Sequence, residues 1–256
     1  MSDTDGRRCT KTGLQLLPVR DKRMYRIAET EFGAVSAPER IDGNDRSRWG
    51  RFDVPGRTTY TAGSLDTAFA EVLSPYKRRL GEADPLAADA RALGLSSSAF
   101  LEMVAADWEE RSFMGVGAIP ASWRHSRGIY EVRASPGGCW IDLDDQGTLA
   151  WAERAIESAL IDEGIPALTI GVITGESRRI TTLISEHLRR VELDDGSRAR
   201  GLQFPSKFGG SWCRAIWLPT DAEKRSPQLL EFSPEPVLVT NESLVRAAGW
   251  FDVRVF

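Results

Sequence analysis

The chain has 256 residues, 41% of them hydrophobic and 27% charged, which fits one large domain or a core domain with an insertion and excludes a globally disordered chain. The formal net charge is −4, and no long basic block stands out, so direct nucleic-acid binding is not expected. Cys9, Cys139 and Cys213 are odd in number and far apart, with only His125 and His187 to join them; this argues against a metal site or a disulfide framework and for reduced thiols in a cytoplasmic protein.

Residues 1–20 read as a flexible N-terminus, because 1–12 are polar and carry no secretory apolar stretch. A first strand is expected over 24–28, followed by a loop over 33–50 rich in Gly, Asp, Asn and Arg. Pro55-Gly56 signals a turn, and 58–61 a short β-branched and aromatic strand. Ser64 is placed to cap a helix over 65–73, whose apolar stripe is Leu65, Ala68, Phe69, Val72 and Leu73. Glu71 lies off that stripe, so periodicity alone makes it a solvated surface residue.

A helical insertion is expected over 76–123. Asp84-Pro85 starts one helix, and a second over 98–111 carries Phe100, Leu101, Val104 and Trp108 on one face. Strands follow at 130–133 and 139–143 around the Pro136-Gly137-Gly138 turn. Thr148 is read as the cap of a helix through Leu149, Ala152, Ile156 and Leu160, ended by Gly164 and Pro166. The stretch 168–173 reads as strand. The longest strongly apolar run, 165–173, is about half a membrane span, so no membrane association is expected.

A further helix places Ile180, Leu183, Ile184, Leu188 and Val191 in register and closes at Asp194-Asp195-Gly196. The tail returns to strands at 213–218, 237–240 and 252–256. Strands and helices alternate irregularly, without successive βαβ units. That pattern predicts an α+β fold with a mixed, partly antiparallel sheet, flanking helices and the helical insertion, in a single domain over 21–256.

Several motifs are rejected. Gly171-Val172-Ile173-Thr174-Gly175-Glu176-Ser177 lacks the lysine and the spacing of a phosphate loop. Neither a Gly-x-Ser-x-Gly elbow nor a His-Glu-x-x-His pair is present. His187, on an amphipathic helix, is read as a surface or packing residue.

Three stretches carry a resemblance: 24–28, 50–71 and 178–217. Tyr25-Arg26 places an arginine after an aromatic residue near the first strand. The loop Gly50-Arg51-Phe52-Asp53-Val54-Pro55-Gly56 leads to Tyr60 and, one helix later, to Glu71. The late motif is Gly201-Leu202-Gln203-Phe204-Pro205-Ser206-Lys207, with a strand expected after it. In this order and spacing the segments resemble the RES family, named for an arginine, a glutamate and a serine. Its members include NAD-consuming toxins of toxin–antitoxin pairs. Two positions depart from the family loop, Phe52 standing for Trp and Asp53 for Asn. The segment between Glu71 and Ser206 is also longer than in compact members.

The resemblance implies an ADP-ribosyltransferase-like fold, with NAD as substrate rather than cofactor in a cleft of a split sheet. Cleavage of the nicotinamide–ribose bond passes through an oxocarbenium-like state, as glycoside cleavage does. Nicotinamide leaves neutral, so negative charge near the ribose and firm diphosphate positioning matter more than a general acid. On this expectation Glu71 stabilises the developing cation, and Arg26 and Arg51 grip diphosphate oxygens. Tyr60 and Phe52 hold the nicotinamide or ribose, and Ser206 positions a phosphate, a ribose hydroxyl or the acceptor.

The implied reaction is hydrolysis or phosphorolysis, with phosphate as a co-substrate in the second case. An antitoxin protein is the expected partner, with the 76–123 insertion as a docking surface, and self-association stays open. Two other functions compete: an ADP-ribosyltransferase acting on a protein or nucleic acid, and a non-catalytic NAD-binding module. Glu71, Arg51 and Ser206 also have plain readings as a solvated helix residue, a surface charge and a turn hydroxyl.

Overall fold

The computed structural model describes residues 6–43, 45–77, 87–100, 102–103, 117–219 and 229–256. In chain order its strands are β1 (Arg7–Arg8), β2 (Gln15–Pro18), β3 (Arg23–Glu29), β4 (Glu39–Arg40), β5 (Gly56–Ala62), β6 (Ala118–Ile119), β7 (Arg127–Ala134), β8 (Cys139–Asp142), β9 (Gly201–Pro205), β10 (Trp212–Leu218), β11 (Leu229–Glu231), β12 (Glu235–Pro236) and β13 (Arg254–Val255). The helices are α1 (Leu65–Leu73), α2 (Ala87–Ala92), α3 (Ala121–His125), α4 (Gln146–Ala155), α5 (Glu157–Asp162), α6 (Ile170–Ile173), α7 (Arg178–Arg190) and α8 (Glu242–Phe251). The fold is mixed α+β, with parallel and antiparallel strand pairs. Among the described residues no helix is long and apolar enough to cross a membrane.

Where the sequence suggests one domain over 21–256, the chain groups into two compact units. The first comprises 1–24, 35–63 and 132–231; the second comprises 25–34, 64–131 and 232–256.

In the first unit the strands run in the order β1-β2-β8-β9-β10-β5, with β4 paired to β5. All these pairs are antiparallel except β8 with β9, whose parallel register sets Asp142, the last residue of β8, opposite Gln203. β10 sits between β9 and β5, with Ala215 opposite Leu202 on one side and Tyr60 on the other. β10 is buried over Cys213, Arg214, Ala215, Ile216 and Trp217, as a strand flanked on both edges requires. α7 buries Ile180, Ile184 and Leu188 at helical spacing.

Within the span expected to be a flexible N-terminus, β1 and β2 instead join this sheet. Leu14 and Leu16 are buried, and Arg7, Thr10 and Lys11 reach Asp194 and Glu192. These partners are more than 180 residues away, beyond any local sequence signal.

In the second unit β3 neighbours β7, and β12 pairs with β7 at Ile129 and Gly128. α1 packs on α8, and Arg246 of α8 holds Asp66 of α1 at 3.0 Å. β13 runs parallel to β6. The ends of the expected 76–123 insertion meet: Gly117 N donates to Tyr76 O at 2.8 Å, and the Tyr76 and Trp123 rings stand edge to face. The expected helix start at Asp84-Pro85 and most of the 98–111 helix lie outside the described residues, although 97–100 and 102–103 are helical.

Other expectations are corrected. The α4 cap is Asp145, whose carboxylate accepts from Thr148 N; Thr148 is three residues inside. A break at Ile156 divides the expected single helix into α4 and α5. The stretch 168–173 contains α6, because Thr169 accepts from Val172 N and opens a helical turn. Residues 237–240 form no strand. They lead into α8, which the sequence reading missed although Asn241 caps Ser243 and Leu244 and Leu244, Ala247, Ala248 and Phe251 share its buried side.

Candidate functional site

The loop between Gly50 and Gly56 is built around Asp53. Asp53 is 4% exposed, so each carboxylate oxygen needs a partner. Oδ2 accepts from Gly50 N at 2.8 Å and from Arg40 Nε at 2.7 Å. Oδ1 accepts from the Tyr60 hydroxyl at 2.8 Å, and that hydroxyl in turn accepts from Phe52 N at 2.9 Å. Asp53 N closes the turn by donating to Gly50 O.

Two glycines are required here. A Cβ on Gly50 would lie 2.6 Å from both Asp53 Oδ1 and the Tyr60 hydroxyl oxygen. Gly56 has φ +102°, a conformation that L side chains rarely adopt. Arg189 of α7 fixes the loop's far end by donating to Pro55 O at 2.7 Å. Burial of the Tyr60 hydroxyl, reinforced by the Asp53 charge, pushes its pKa well above the usual tyrosine range. Tyr60 is therefore a protonated donor at neutral pH.

Phe52 is 0% exposed and packs on Phe204, with ring centroids 4.5 Å apart and planes at 53°. Its ring is committed to the core, so in this structure it supports the loop. Phe204 belongs to β9, which makes the first part of the late motif itself a strand. Ser206 follows β9, is 7% exposed, and accepts from Phe208 N at 3.2 Å. It lines a cavity of about 410 Å³ with Asp142, Gln203 and Trp212, beyond the carboxyl ends of the parallel pair β8–β9.

Arg51 is 9% exposed rather than a surface charge, and its Nε is buried without a hydrogen-bond partner among the described residues. A second buried ion pair braces the segment before the loop. Arg46 donates to Glu186 Oε1 at 2.8 Å and Thr182 Oγ1 at 2.9 Å, and its guanidinium stacks over Trp49. The sequence reading missed Arg40, Arg46 and Glu186. Only Arg40, 13 residues before its partner Asp53, lay within range of a local pattern.

Arg26 and Glu71 belong to the second unit, whereas Arg51, Phe52, Tyr60 and Ser206 belong to the first. Arg26 is half-buried on β3. Glu71 is half-buried near the end of α1, which Ser64 caps as expected by accepting from Thr67 N. The Glu71 carbonyl accepts from the Ser74 hydroxyl at 3.0 Å, leading the helix into a 3-10 turn over Ser74–Tyr76. Within the first unit the contacts join the Arg51 loop, Tyr60 and β9, which Ser206 follows. Comparison of the chain with protein-family models, curated proteins and solved structures finds no match.

Proposed function

We propose that the protein cleaves the nicotinamide–ribose bond of NAD, with Glu71, Arg26 and Ser206 at the reacting end and Arg51 on the diphosphate. The reading rests on the resemblance to the RES family, and one observation carries it furthest: the Asp53-centred loop holds a buried arginine beside the strand that delivers a buried serine to a cavity. Preorganised cations and hydroxyls of this kind suit a reaction whose main demand is positioning and charge stabilisation.

On this reading Glu71 offers its carboxylate to the ribose hydroxyls and to the positive charge that grows as nicotinamide leaves. Arg26 and Arg51 hold diphosphate oxygens in forked geometry. Ser206 orients a ribose hydroxyl or the acceptor. Tyr60, its hydroxyl engaged by Asp53 and Phe52, contributes through its ring. Phe52 contributes by holding the loop on β9. The change from Asn to Asp at position 53 is matched by Arg40, so it is compatible with a formed loop.

The proposal extends to an ADP-ribosyltransferase-like architecture and to the role of a toxin held in check by an antitoxin protein. The acceptor is read from the products of NAD incubated with the full chain. ADP-ribose identifies hydrolysis, its 1''-phosphate identifies phosphorolysis, and labelled macromolecule from an extract identifies transfer. Intact NAD in every arm, with folded protein, would refute cleavage.

A further inference from the structure

Three strands of the first unit carry one polar row. Asp142 of β8 stands opposite Gln203 of β9, and Gln203 opposite Arg214 of β10, so the three side chains are neighbours on one face of the sheet. Arg214 is 3% exposed. Its Nε and Nη2 both donate to Gln203 Oε1, at 3.1 and 2.9 Å, and its guanidinium lies 4.1 Å from the Trp212 ring centroid and 5.1 Å from that of Trp140.

A guanidinium has donors and no acceptor, so it fixes which end of the Gln203 amide it meets. The oxygen faces Arg214, and Nε2 is left as a donor. Gln203 is itself 8% exposed, and its Nε2 makes no hydrogen bond among the described residues. The residue borders the cavity of about 410 Å³ that Ser206 also borders. An amide N–H2 held at a buried wall is costly unless a ligand supplies an acceptor.

The rest of the wall selects that ligand. The charged residues bordering the cavity are Asp142 and Asp144. Asp142 Oδ1 accepts from Asp144 N at 3.2 Å; a carboxylate has about four acceptor positions, so the pair keeps capacity for a ligand N–H. Lys207, next to Ser206, turns instead to Glu176 Oε1 at 2.9 Å. A phosphate or carboxylate entering here would meet two like charges. The wall instead suits an uncharged group with an acceptor beside a donor. A carboxamide segregates the two, as the wall does, whereas a hydroxyl is both at once and needs no such segregation.

We propose that this cavity is a carboxamide subsite: Gln203 Nε2 donates to the amide oxygen, the carboxylates of Asp142 and Asp144 supply the acceptor for the amide N–H2, and their charge excludes the corresponding acid. Gln203 is then a specificity-determining residue, and Arg214, acting through Gln203, a positioning residue. That the carboxamide belongs to nicotinamide rests on the NAD reading, which puts Ser206 at the reacting end; the pattern of donor and acceptors does not.

The test is ligand-observed magnetic-resonance titration of the full chain with nicotinamide, nicotinic acid and ADP-ribose, none of which carries the nicotinamide–ribose bond. Wild type is compared with Gln203→Glu, which keeps an acceptor for Arg214 and replaces the N–H2 with oxygen, and with Asp144→Asn at an exposed position. Wild type should bind nicotinamide at least about tenfold more tightly than nicotinic acid, and Asp144→Asn should narrow that gap. Gln203→Glu should weaken nicotinamide about tenfold, the scale of one lost hydrogen bond, and leave ADP-ribose within about twofold. No saturable nicotinamide binding by folded wild type, equal binding of the acid, a gap that Asp144→Asn leaves unchanged, or nicotinamide affinity indifferent to Gln203→Glu overturns the subsite. An equal or larger loss for ADP-ribose also overturns it, by giving Gln203 to a ribose hydroxyl. Asp144 is exposed, so its variant keeps the test decisive if Gln203→Glu fails to fold. Nicotinamide release is assayed separately. The predicted binding pattern without release leaves the subsite standing and removes the NAD reading; release by a protein whose nicotinamide affinity ignores Gln203→Glu does the reverse.

Discussion

The Tyr60 hydroxyl donates to Asp53 Oδ1 across 2.8 Å, and this bond joins β5 to the loop that carries Arg51. The same oxygen accepts from Phe52 N, so one hydroxyl satisfies a buried carboxylate and a loop amide together. Tyr60→Phe should therefore lower stability by about 1–3 kcal/mol, read by denaturant titration. It should also loosen Arg51 and reduce affinity for ADP-ribose. A variant as stable as wild type would mean that the loop is held by other contacts.

Arg40 is the charge partner of Asp53 at 2.7 Å. Arg40→Ala leaves the 4%-exposed carboxylate without its cation and should cost about 2–4 kcal/mol. Adding Asp53→Asn, the residue type of the family loop, removes the stranded charge. The double variant should recover part of that loss, and a double-mutant cycle measures the coupling. Additive losses would contradict a functional Arg40–Asp53 pair.

Gly50→Ala should be poorly tolerated, because its Cβ would enter the space of Asp53 Oδ1 and the Tyr60 hydroxyl oxygen, 2.6 Å from each. Overpacking of this kind costs about 1–3 kcal/mol. Thermal unfolding checks it, and a neutral substitution would show that the loop can open without penalty.

Acid should release the N-terminal strands. Asp194 accepts from Thr10 N and from Arg7, which holds its carboxyl down at about 2. A depressed carboxylate contributes stability that is present above its unfolded value of 3.8 and is lost as pH falls toward 2. Asp194→Asn should flatten the pH dependence of stability in that window. Hydrogen exchange over residues 7–18 should rise in acid for wild type.

Much of this arrangement was readable before the fold. Ser64, the stripe of α1 and the periodicity of α7 are local signals, and each gave the correct element. The loop's glycines and aromatic residues also announced a built turn. Three things were hidden for physical reasons. Asp53 looked like a departure from the family loop because the motif does not include its partner Arg40, which lies on β4 before the loop. Glu186 sits on a polar-looking helix position that Arg46 makes a buried one, 140 residues away. The stretch 168–173 is apolar and short enough to suit strand or helix, and only the Thr169 cap decides it.

The most direct test of the central claim is nicotinamide release from NAD by the purified full chain beside Glu71→Gln, each with and without phosphate. The account predicts release by the wild type and its loss by at least about a hundredfold in the variant, the scale of removing one electrostatic stabiliser of a transition state, with the fold of the variant intact. Equal release by both proteins would remove Glu71 from the mechanism, and no release by folded wild type would contradict NAD cleavage itself.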